Sequence, residues 1–277
     1  MKKYILITGA SGFIGKKLVC LLLKRKFKIK IIVRKSSKLE KTFNHVNITK
    51  VFTKNIFKNN SNWWSKVLKD VSTVIHLAWY VKPPNYLKSK KNIECMNGTL
   101  TLAKACARSK INKFLGIGTC LEYDLTTMKK INIHHSLHPL NLYSSSKVKT
   151  FFLLNNLFKK TKINFSWLRL FYVYGKEDYS QKLIPYLHNN LSKNKRVIIQ
   201  NGDFVRDYIH VNNVVKKILK IILKKKNETI YNICSGKPIT VKKIAIKIAK
   251  KYKKINLLKF KIQKNKSIEH IVGVSNC

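Results

Sequence analysis

A glycine-rich turn near the start of the chain, Thr8-Gly9-Ala10-Ser11-Gly12-Phe13-Ile14-Gly15, constrains the fold more than any other feature. The apolar segment 3–8 before it is typical of a buried strand. The apolar residues after it fall on one face of a helix: Ile14, Leu18, Leu21 and Leu22. Glycines between a strand and a helix let the backbone approach a pyrophosphate, which then binds free N–H groups at the positive helix end. The sequence therefore predicts a dinucleotide-binding unit.

Strand and helix patterns continue to alternate through the first 170 residues. Further strands are predicted at 28–33, 51–53, 73–77, 114–117 and 165–170, with helices over about 86–110 and from about 140. Such alternation indicates an α/β fold whose parallel sheet is covered on both faces. Beyond 171 the pattern loosens, with helices predicted over 214–223 and 241–252. We expect a Rossmann-type doubly wound sheet over 1–170 and a smaller substrate lobe over 171–277, of which about 207–223 packs back on the first domain.

The residue at the end of the second predicted strand bears on the cofactor. Arg34 lies 19 residues after Gly15, where an acidic residue would accept hydrogen bonds from the ribose 2′-OH of NAD. An arginine cannot accept such bonds, but it can pair with a 2′-phosphate. We therefore expect NADP(H) to be preferred, with NAD(H) possible. The alternative is that Arg34 is one more solvated cation in a very basic chain.

Tyr143 and Lys147 have the spacing that places two side chains on one face of a helix. A nearby ammonium favours the phenolate and is expected to lower the tyrosine pKa, so that the phenol can exchange a proton at working pH. The spacing is common by chance. Here, however, it follows a predicted strand that ends at Thr119, and α/β sheets keep their sites at the carboxyl ends of strands. Thr119 is expected to hydrogen-bond the substrate oxygen.

These motifs occur with others, in the same order, in the extended short-chain dehydrogenases/reductases. The further matches are His76-Leu77-Ala78-Trp79, Asn97-Gly98-Thr99 and Val205-Arg206-Asp207-Tyr208-Ile209-His210. The chain resembles this NAD-dependent epimerase/dehydratase family, which acts largely on nucleotide sugars, over about residues 3–274. Within the family, segments 118–123, 168–172 and 271–274 look like those of reductases of 4-keto-6-deoxy nucleotide sugars, such as 6-deoxytalose dehydrogenases.

The resemblance implies a role for each matching residue. It makes Tyr143 the acid/base, Lys147 its partner and a ribose ligand, Thr119 the third member of the triad, and Asn97 the helix asparagine that supports them. Arg206 matches an arginine that binds the substrate diphosphate, and the alternative is a structural pair with Asp207. The implied cofactor-binding residues are Gly9, Ser11, Gly12, Phe13, Ile14, Gly15, Arg34, Asn55, Ile56, Leu77, Ala78 and Lys147. The implied substrate-binding residues are Thr119, Tyr143 and Arg206.

Some positions depart from the family pattern. Asn55 stands where an aspartate usually touches adenine, and Tyr172 replaces a common asparagine near the substrate. Thr119 is followed by Cys120 and Leu121, whereas the family's 4,6-dehydratases carry Thr-Asp-Glu to eliminate water. We therefore expect a reductase acting on a C4 ketone, with a 4-epimerase holding NAD as the alternative. A non-enzymatic regulator is disfavoured because both Tyr143 and Lys147 are present.

The net charge of +47 raises the question of nucleic-acid binding. Lysines are spread along the whole chain, and arginine, which makes most specific base contacts, is scarce. Compositional drift therefore explains the charge better than a specific nucleic-acid partner. We expect no metal, although His134, His135 and His138 cluster, and no membrane span, because no apolar run reaches the required length. The six cysteines show no C-x-x-C and no pairing with histidine at metal spacing, which favours a reducing cytoplasm. The resemblance further implies a homodimer.

Overall fold

The computed structural model describes residues 4–34, 43–126, 130–261 and 269–277. Within these ranges, seven parallel strands form a central sheet in the order β10-β6-β5-β4-β1-β2-β3. They are β1 (Tyr4–Thr8), β2 (Lys28–Val33), β3 (Ile48–Phe52), β4 (Val71–His76), β5 (Lys113–Thr119), β6 (Asn164–Leu170) and β10 (Ile230–Ile233). The expected Rossmann-type doubly wound sheet is confirmed.

Both faces of the sheet are covered by helices. On one face pack α1 (Phe13–Lys24) and α6 (Val211–Leu223), which also contact each other. On the other pack α2 (Ser61–Val67), α3 (Lys91–Arg108) and α4 (Leu142–Lys159). Successive side chains of a strand point to opposite faces, so each central strand needs apolar residues throughout. In β1, for example, Ile5 and Ile7 enter one core and Leu6 enters the other.

The remaining elements form a smaller lobe with its own apolar core. It contains α5 (Leu183–Ser192), α7 (Val241–Lys251) and the parallel pair β8 (Val197–Gln200) and β12 (Leu258–Lys261). A small sheet built on β9 (Val205–His210) joins this lobe to the central sheet. Its other strands are β7 (Tyr172–Tyr174), β11 (Pro238–Thr240) and β13 (His270–Ile271).

Several elements differ from the predicted ones. The helix predicted from residue 86 begins at Lys91, and Asn85–Leu87 forms a separate 3₁₀ turn after Pro83 and Pro84, which cannot donate helical hydrogen bonds. The strand β10 was not predicted, because four apolar-rich residues carry little periodic signal. It brings a segment from beyond residue 170 into the central sheet, so the division at that residue is not a simple cut in the chain.

Candidate active site

A cleft of ≈ 1110 Å³ opens at the carboxyl ends of the central strands, between the sheet and the smaller lobe. Residues that follow β1, β2, β4 and β5 line one side, and residues of β7, β9 and the start of α5 line the other. Side chains and loops converge at this edge because all strands of a parallel sheet end there. The cleft is therefore where the sequence-predicted residues can meet.

The glycine-rich turn forms the floor of this cleft. Gly9 has φ +70°, a conformation that favours glycine, and a Cβ at Gly15 would lie 2.8 Å from the Cα of Ala10. Helix α1 begins after Gly12, which has no side chain to cap the first N–H groups, and its first turn carries no acidic residue. Ser11, Phe13 and Ile14 also line the cleft. This cradle fits the pyrophosphate of a dinucleotide, because backbone N–H groups remain for the anion at a positive helix end.

The far end of the floor carries the residues expected to face the adenosine. Arg34 is exposed, follows β2 directly and lines the cleft. Asn55 and Ile56 line it too, but the Asn55 side chain is already engaged: its oxygen accepts the N–H of Phe57 at 3.0 Å and its amide donates to Glu94. The residues after Arg34, 35–42, lie outside the described ranges.

A buried histidine ties the floor to the sheet. His76 Nδ1 lies 2.8 Å from the Thr8 hydroxyl, and its Nε2 lies 2.8 Å from the Thr99 hydroxyl on α3. Burial, with a smaller effect of the Lys147 charge, lowers the pKa of His76 to about 3. The ring is therefore neutral and links three elements. Beside it, Leu77 and Ala78 line the cleft, and the N–H of Ala78 donates to Thr8 at 3.2 Å.

Thr119, Tyr143 and Lys147 come together on the cleft wall. Thr119 ends β5, and Tyr143 lies in the first turn of α4, whose N-cap Asn141 accepts the N–H of Ser144 at 3.0 Å. The Thr119 hydroxyl is a hydrogen-bonding neighbour of the Tyr143 phenol. Lys147 Nζ donates to the carbonyl of Ile117 at 2.7 Å. The three polar groups thus share one patch of the cleft.

The expected lowering of the Tyr143 pKa is wrong. Burial raises the pKa of Tyr143 well above its ordinary value, and nearby Tyr86 and Glu122 raise it further, although Thr119 lowers it. Burial also lowers the pKa of Lys147 to about 7. The Lys147 ammonium lies 3.5 Å from the ring centroid of Trp79 and 5.9 Å from that of Tyr143, so it faces the indole rather than the phenol. Tyr143 is therefore a protonated phenol in the described structure.

A buried ion pair lies directly behind these residues. Glu122 Oε2 accepts the Arg169 Nε–H at 2.8 Å, and both side chains are at most 1% exposed. The indole N–H of Trp167 contacts both Glu122 oxygens at 3.1 Å, and Oε1 accepts the N–H of Thr119 at 2.8 Å. Sequence reasoning matched Glu122 and Arg169 only as parts of family motifs. The available signal was a glutamate three residues after Thr119 and an arginine inside an apolar strand.

Comparison with known proteins gives the family. A family model described as "NAD dependent epimerase/dehydratase family" matches residues 5–234. The chain belongs to this family. The resemblance expected from the motifs is therefore confirmed, although family membership alone does not specify the reaction.

Curated relatives of the chain carry several activities. A "dTDP-D-glucose 4,6-dehydratase" of Dictyostelium discoideum is 29% identical over 266 residues, 88% of this chain and 61% of that protein. The "dTDP-4-dehydro-6-deoxyglucose reductase" of Escherichia coli is 29% identical over 262 residues, 88% and 80% of the two chains. A "dTDP-6-deoxy-L-talose 4-dehydrogenase (NAD(+))" of Aggregatibacter actinomycetemcomitans is 22% identical over 249 residues, 84% and 85%. This chain thus spans less than two thirds of the first relative.

Solved structures agree on the fold. A dTDP-glucose 4,6-dehydratase from Streptomyces venezuelae, solved with NAD bound, superposes with a TM-score of 0.86. The match covers 98% of this chain and 88% of that one at 17% identity. At such identity the likeness extends to the architecture of the family and not to the substrate.

Two residues assigned through the family pattern lie elsewhere than expected. Asn97 on α3 is exposed and does not line the cleft, and the α3 residues that do are Lys91, Glu94 and Cys95. A helix turns about 100° per residue, so the side chain two positions after Cys95 points to the opposite face. Cys95 occupies the expected place, and its sulfur lies 3.4 Å from the Tyr80 N–H that donates to it.

Arg206 does not line the cleft either. Its guanidinium donates to the carboxylate of Glu269 and to the carbonyls of Val205 and Glu269. The alternative, a pair with Asp207, does not form: neighbouring strand residues face opposite sides, and Asp207 accepts hydrogen bonds from Ser235 and Gly236. Arg206 nevertheless lies 5.2 Å from the ring centroid of Tyr172, which does line the cleft.

The remaining histidines and cysteines are candidate metal ligands in the part of the chain that the structure describes. In those residues, no group of three His, Cys, Asp or Glu side chains could hold a metal, and His134, His135 and His138 form no such group. The six cysteines are free thiols. Among the described helices, none has the length and apolar character needed to cross a membrane.

Proposed function

We propose that the protein reduces the C4 ketone of a nucleotide-linked 4-keto-6-deoxy sugar, with NADP(H) or NAD(H) as the hydride carrier. One observation carries the proposal: Thr119 and a protonated Tyr143 converge on the cleft beside Lys147, above a floor that fits a dinucleotide. A phenol held protonated is suited to donate a proton to a developing alkoxide. Reduction of a ketone needs that donation, because the carbonyl oxygen gains negative charge as hydride arrives.

The residues that line the cleft have distinct parts in this reaction. The glycine-rich turn and Lys147 hold the dinucleotide, which supplies the hydride when bound. Thr119 and Tyr143 hold the ketone oxygen between them, and the Tyr143 hydroxyl gives its proton to that oxygen. Lys147 and the bulk of Trp79, 3.5 Å apart, close the site behind the phenol and limit access of water.

A dehydratase is disfavoured by the residues that follow Thr119, although some relatives carry that activity. Elimination of water needs an acid and a base next to the triad. Burial raises the pKa of the Cys120 thiol to about 12, which leaves it a poor base, and Leu121 has no ionisable group. The carboxylate of Glu122 is buried against Arg169 and Trp167, away from the cleft.

A 4-epimerase is the second candidate. Its first step removes a proton from a sugar hydroxyl, so it needs Tyr143 as a phenolate. Burial favours the opposite protonation state. The preference for NADP(H) rests on Arg34, which is exposed at the cleft and available for a 2′-phosphate. The family description names NAD, so the two cofactors must be compared directly.

The deciding experiment incubates the protein with NADPH or NADH and a panel of nucleotide-linked 4-keto-6-deoxy sugars, and follows cofactor absorbance. We expect oxidation of the cofactor with at least one of these ketones. The same protein is incubated with the corresponding 6-hydroxy nucleotide sugars and catalytic NAD. Epimerised or dehydrated product there, with no reduction of any ketone, would overturn the proposal.

Assembly and location belong to the same proposal. Helices α3 and α4 pack side by side and expose apolar side chains, with Ile93 at 43%, Phe152 at 49% and Leu153 at 37%. A homodimer through these helices would cover them, and light scattering tests it by the mass in solution. The free thiols fit a reducing cytoplasm.

A further inference from the structure

We propose that Glu122 is a positioning residue of the active site: its buried carboxylate fixes the N–H of Thr119 and supplies the negative charge that holds Lys147 as an ammonium. The inference rests on the proposed function, because it gives Lys147 and Thr119 their roles. Glu122 touches neither substrate nor cofactor and acts through its neighbours. Its side chain is fully buried, and the proposed reaction gives it no direct part.

The geometry connects Glu122 to both residues. Its Oε1 accepts the Thr119 N–H at 2.8 Å, which fixes the end of β5 where the hydroxyl projects. Toward Lys147, the connection runs through Trp167. The Trp167 indole N–H contacts both carboxylate oxygens at 3.1 Å, and the Lys147 ammonium lies 5.7 Å from the Trp167 ring centroid. A carboxylate in this low-dielectric position acts on the ammonium more strongly than a surface charge would.

Gly118 shows that the space for this arrangement is built into the strand. A Cβ at Gly118 would collide with the Trp167 indole nitrogen and with Glu122 Oε1. The residue before the active-site threonine therefore has to lack a side chain. Arg169 closes the cluster from behind, with its guanidinium carbon 4.4 Å from the ring centroid of Tyr123.

Among the ionisable groups around Lys147, Glu122 is the main source of negative charge. Those that face Lys147 are Tyr143 on its own helix, Cys95 on α3, His76 at the end of β4, and Glu122 after β5, whose buried partner is Arg169 on β6. Burial of Lys147 lowers its pKa, and Glu122, followed by Cys95, raises it back. Burial raises the pKa of Cys95 to about 11, so that thiol is uncharged near neutral pH. His76 is neutral there as well.

A simpler reading is that Glu122 only caps the short turn 120–122, since it and Thr119 form a capping box. The substitution Glu122→Gln distinguishes the capping role from the effect on the charge of Lys147. The Glu122→Gln change keeps an oxygen that can accept the Thr119 N–H, but it removes the charge. A capping role would survive this change, whereas an effect on the charge of Lys147 would not.

The test measures the affinity of the 277-residue protein for NADPH and NADH by calorimetry from pH 6 to pH 9, without substrate. In the wild type, we expect affinity to fall as pH rises through the midpoint at which Lys147 loses its proton. Glu122→Gln should move that midpoint toward acid by on the order of one pH unit, the effect of an adjacent opposite charge. Above the midpoint, affinity should drop by about tenfold relative to wild type.

Two further variants complete the experiment. Glu122→Gln leaves the Arg169 charge buried without its partner, so Glu122→Gln/Arg169→Met removes both charges and replaces the single variant if that one does not fold. Glu228→Gln makes the same chemical change on an exposed carboxylate at the opposite edge of the sheet and should keep the wild-type midpoint. Circular dichroism verifies the fold of each variant.

An unchanged midpoint in the folded Glu122 variants would overturn the inference and leave Glu122 as a turn cap. The readout needs no turnover, so it is separate from the proposed function. Failure of the ketone panel with a shifted midpoint would reject the reductase and keep the positioning role. Reduction of a ketone with an unshifted midpoint would keep the reductase and reject the positioning role of Glu122.

Discussion

The floor of the cleft and the aromatic surface opposite it, here called its two walls, use different chemistry. The floor along α1 presents backbone, with Gly9 at φ +70° and an uncapped helix start at Gly12. The opposite wall presents aromatic side chains from β7 and β9, with the Tyr208 ring 5.8 Å from Tyr172 and 6.4 Å from Tyr174. Backbone groups recognise a pyrophosphate that every dinucleotide shares, whereas side chains can change one at a time. We therefore propose that the floor binds the cofactor and that a few tyrosines of the opposite wall select the substrate.

The residue at the junction of the two walls should show the largest effect. Tyr143→Phe keeps the ring and its edge contact with Tyr86, 5.1 Å between centroids, but removes the proton donor. We expect the single-turnover rate at saturating substrate to fall by roughly 10²–10⁴, the value of a positioned acid, with dinucleotide affinity unchanged. Tyr186→Phe, outside the cleft, is the matched control. A rate within threefold of wild type would show that Tyr143 is not the acid.

Acid should lower the free energy of unfolding through His76, the buried histidine that ties the floor to the sheet. Folding lowers the pKa of His76 from about 6.5 to about 3, so the unfolded chain binds the extra proton first as pH falls. This contribution to stability is complete above pH 6.5 and is lost progressively toward pH 3. Between pH 7 and pH 4 it corresponds to about 3 kcal/mol.

The measurement is urea unfolding followed by tryptophan fluorescence, since all four tryptophans precede residue 171. His76→Gln cannot titrate and should lose that part of the pH dependence. If the variant and the wild type respond equally to acid, His76 is not the sensitive group.

A single methyl group added to the floor should affect the binding of dinucleotide but not that of nucleotide sugar. Gly15→Ala places a Cβ 2.8 Å from the Ala10 backbone, which forces the phosphate turn to shift at a cost of roughly 1–3 kcal/mol. We expect dinucleotide affinity to fall by about ten- to a hundredfold and nucleotide-sugar affinity to stay the same. Gly202→Ala makes the same change in the smaller lobe, where the nearest atom would be a Phe260 ring carbon at 3.3 Å. Equal losses for both ligands would mean that the walls are not independent.

Cofactor choice gives a finer test of the floor. If Arg34 pairs with a 2′-phosphate, Arg34→Ala should weaken NADPH binding by about 1.5–3 kcal/mol and leave NADH unchanged. Calorimetry with both cofactors measures the difference. Arg25→Ala removes the same charge from an exposed position outside the cleft and serves as the control. A wild-type protein that binds NADH at least as tightly as NADPH would contradict the expectation.

The smallest expected effect lies on the aromatic wall. Tyr208→Leu removes one ring from the tyrosine cluster and should lower nucleotide-sugar affinity by about 0.5–1.5 kcal/mol, the contribution of one aromatic contact. Dinucleotide affinity should not change. Tyr252→Leu, in the same lobe but away from the cleft, controls for loss of a tyrosine. If Tyr208→Leu lowered the affinity for dinucleotide more than the affinity for nucleotide sugar, the roles assigned to the two walls would be reversed.

The floor was predictable from the sequence because its determinants are local. Glycine spacing, an apolar strand and a one-sided helix all fall within 25 residues. Tyr143 and Lys147 were predictable for the same reason, since one helical turn joins them. Their position beside Thr119 followed from the rule that parallel strands end at one edge.

Pairings between distant residues could not be predicted in this way. Arg206 binds Glu269, 63 positions away, and Arg169 binds Glu122, 47 positions away. No periodicity connects such partners. Asn97 was assigned by motif similarity, but the rotation of α3 that turns it outward is set by packing of the helix on the sheet. The expected Tyr143 pKa is wrong because helical spacing reveals neither the burial that raises it nor that Lys147 faces Trp79.

The strand β10 also determines when the central sheet can be completed during synthesis. It pairs with β6 at the edge of the central sheet, yet some sixty residues of chain, including all of α5 and α6, separate the two strands. A ribosome must therefore translate past residue 233 before the seventh strand can dock. Until then, the outer edge of β6 presents unpaired N–H and C=O groups, which other chains can pair with. The nascent protein is consequently most exposed to aggregation in the interval between synthesis of β6 and arrival of β10.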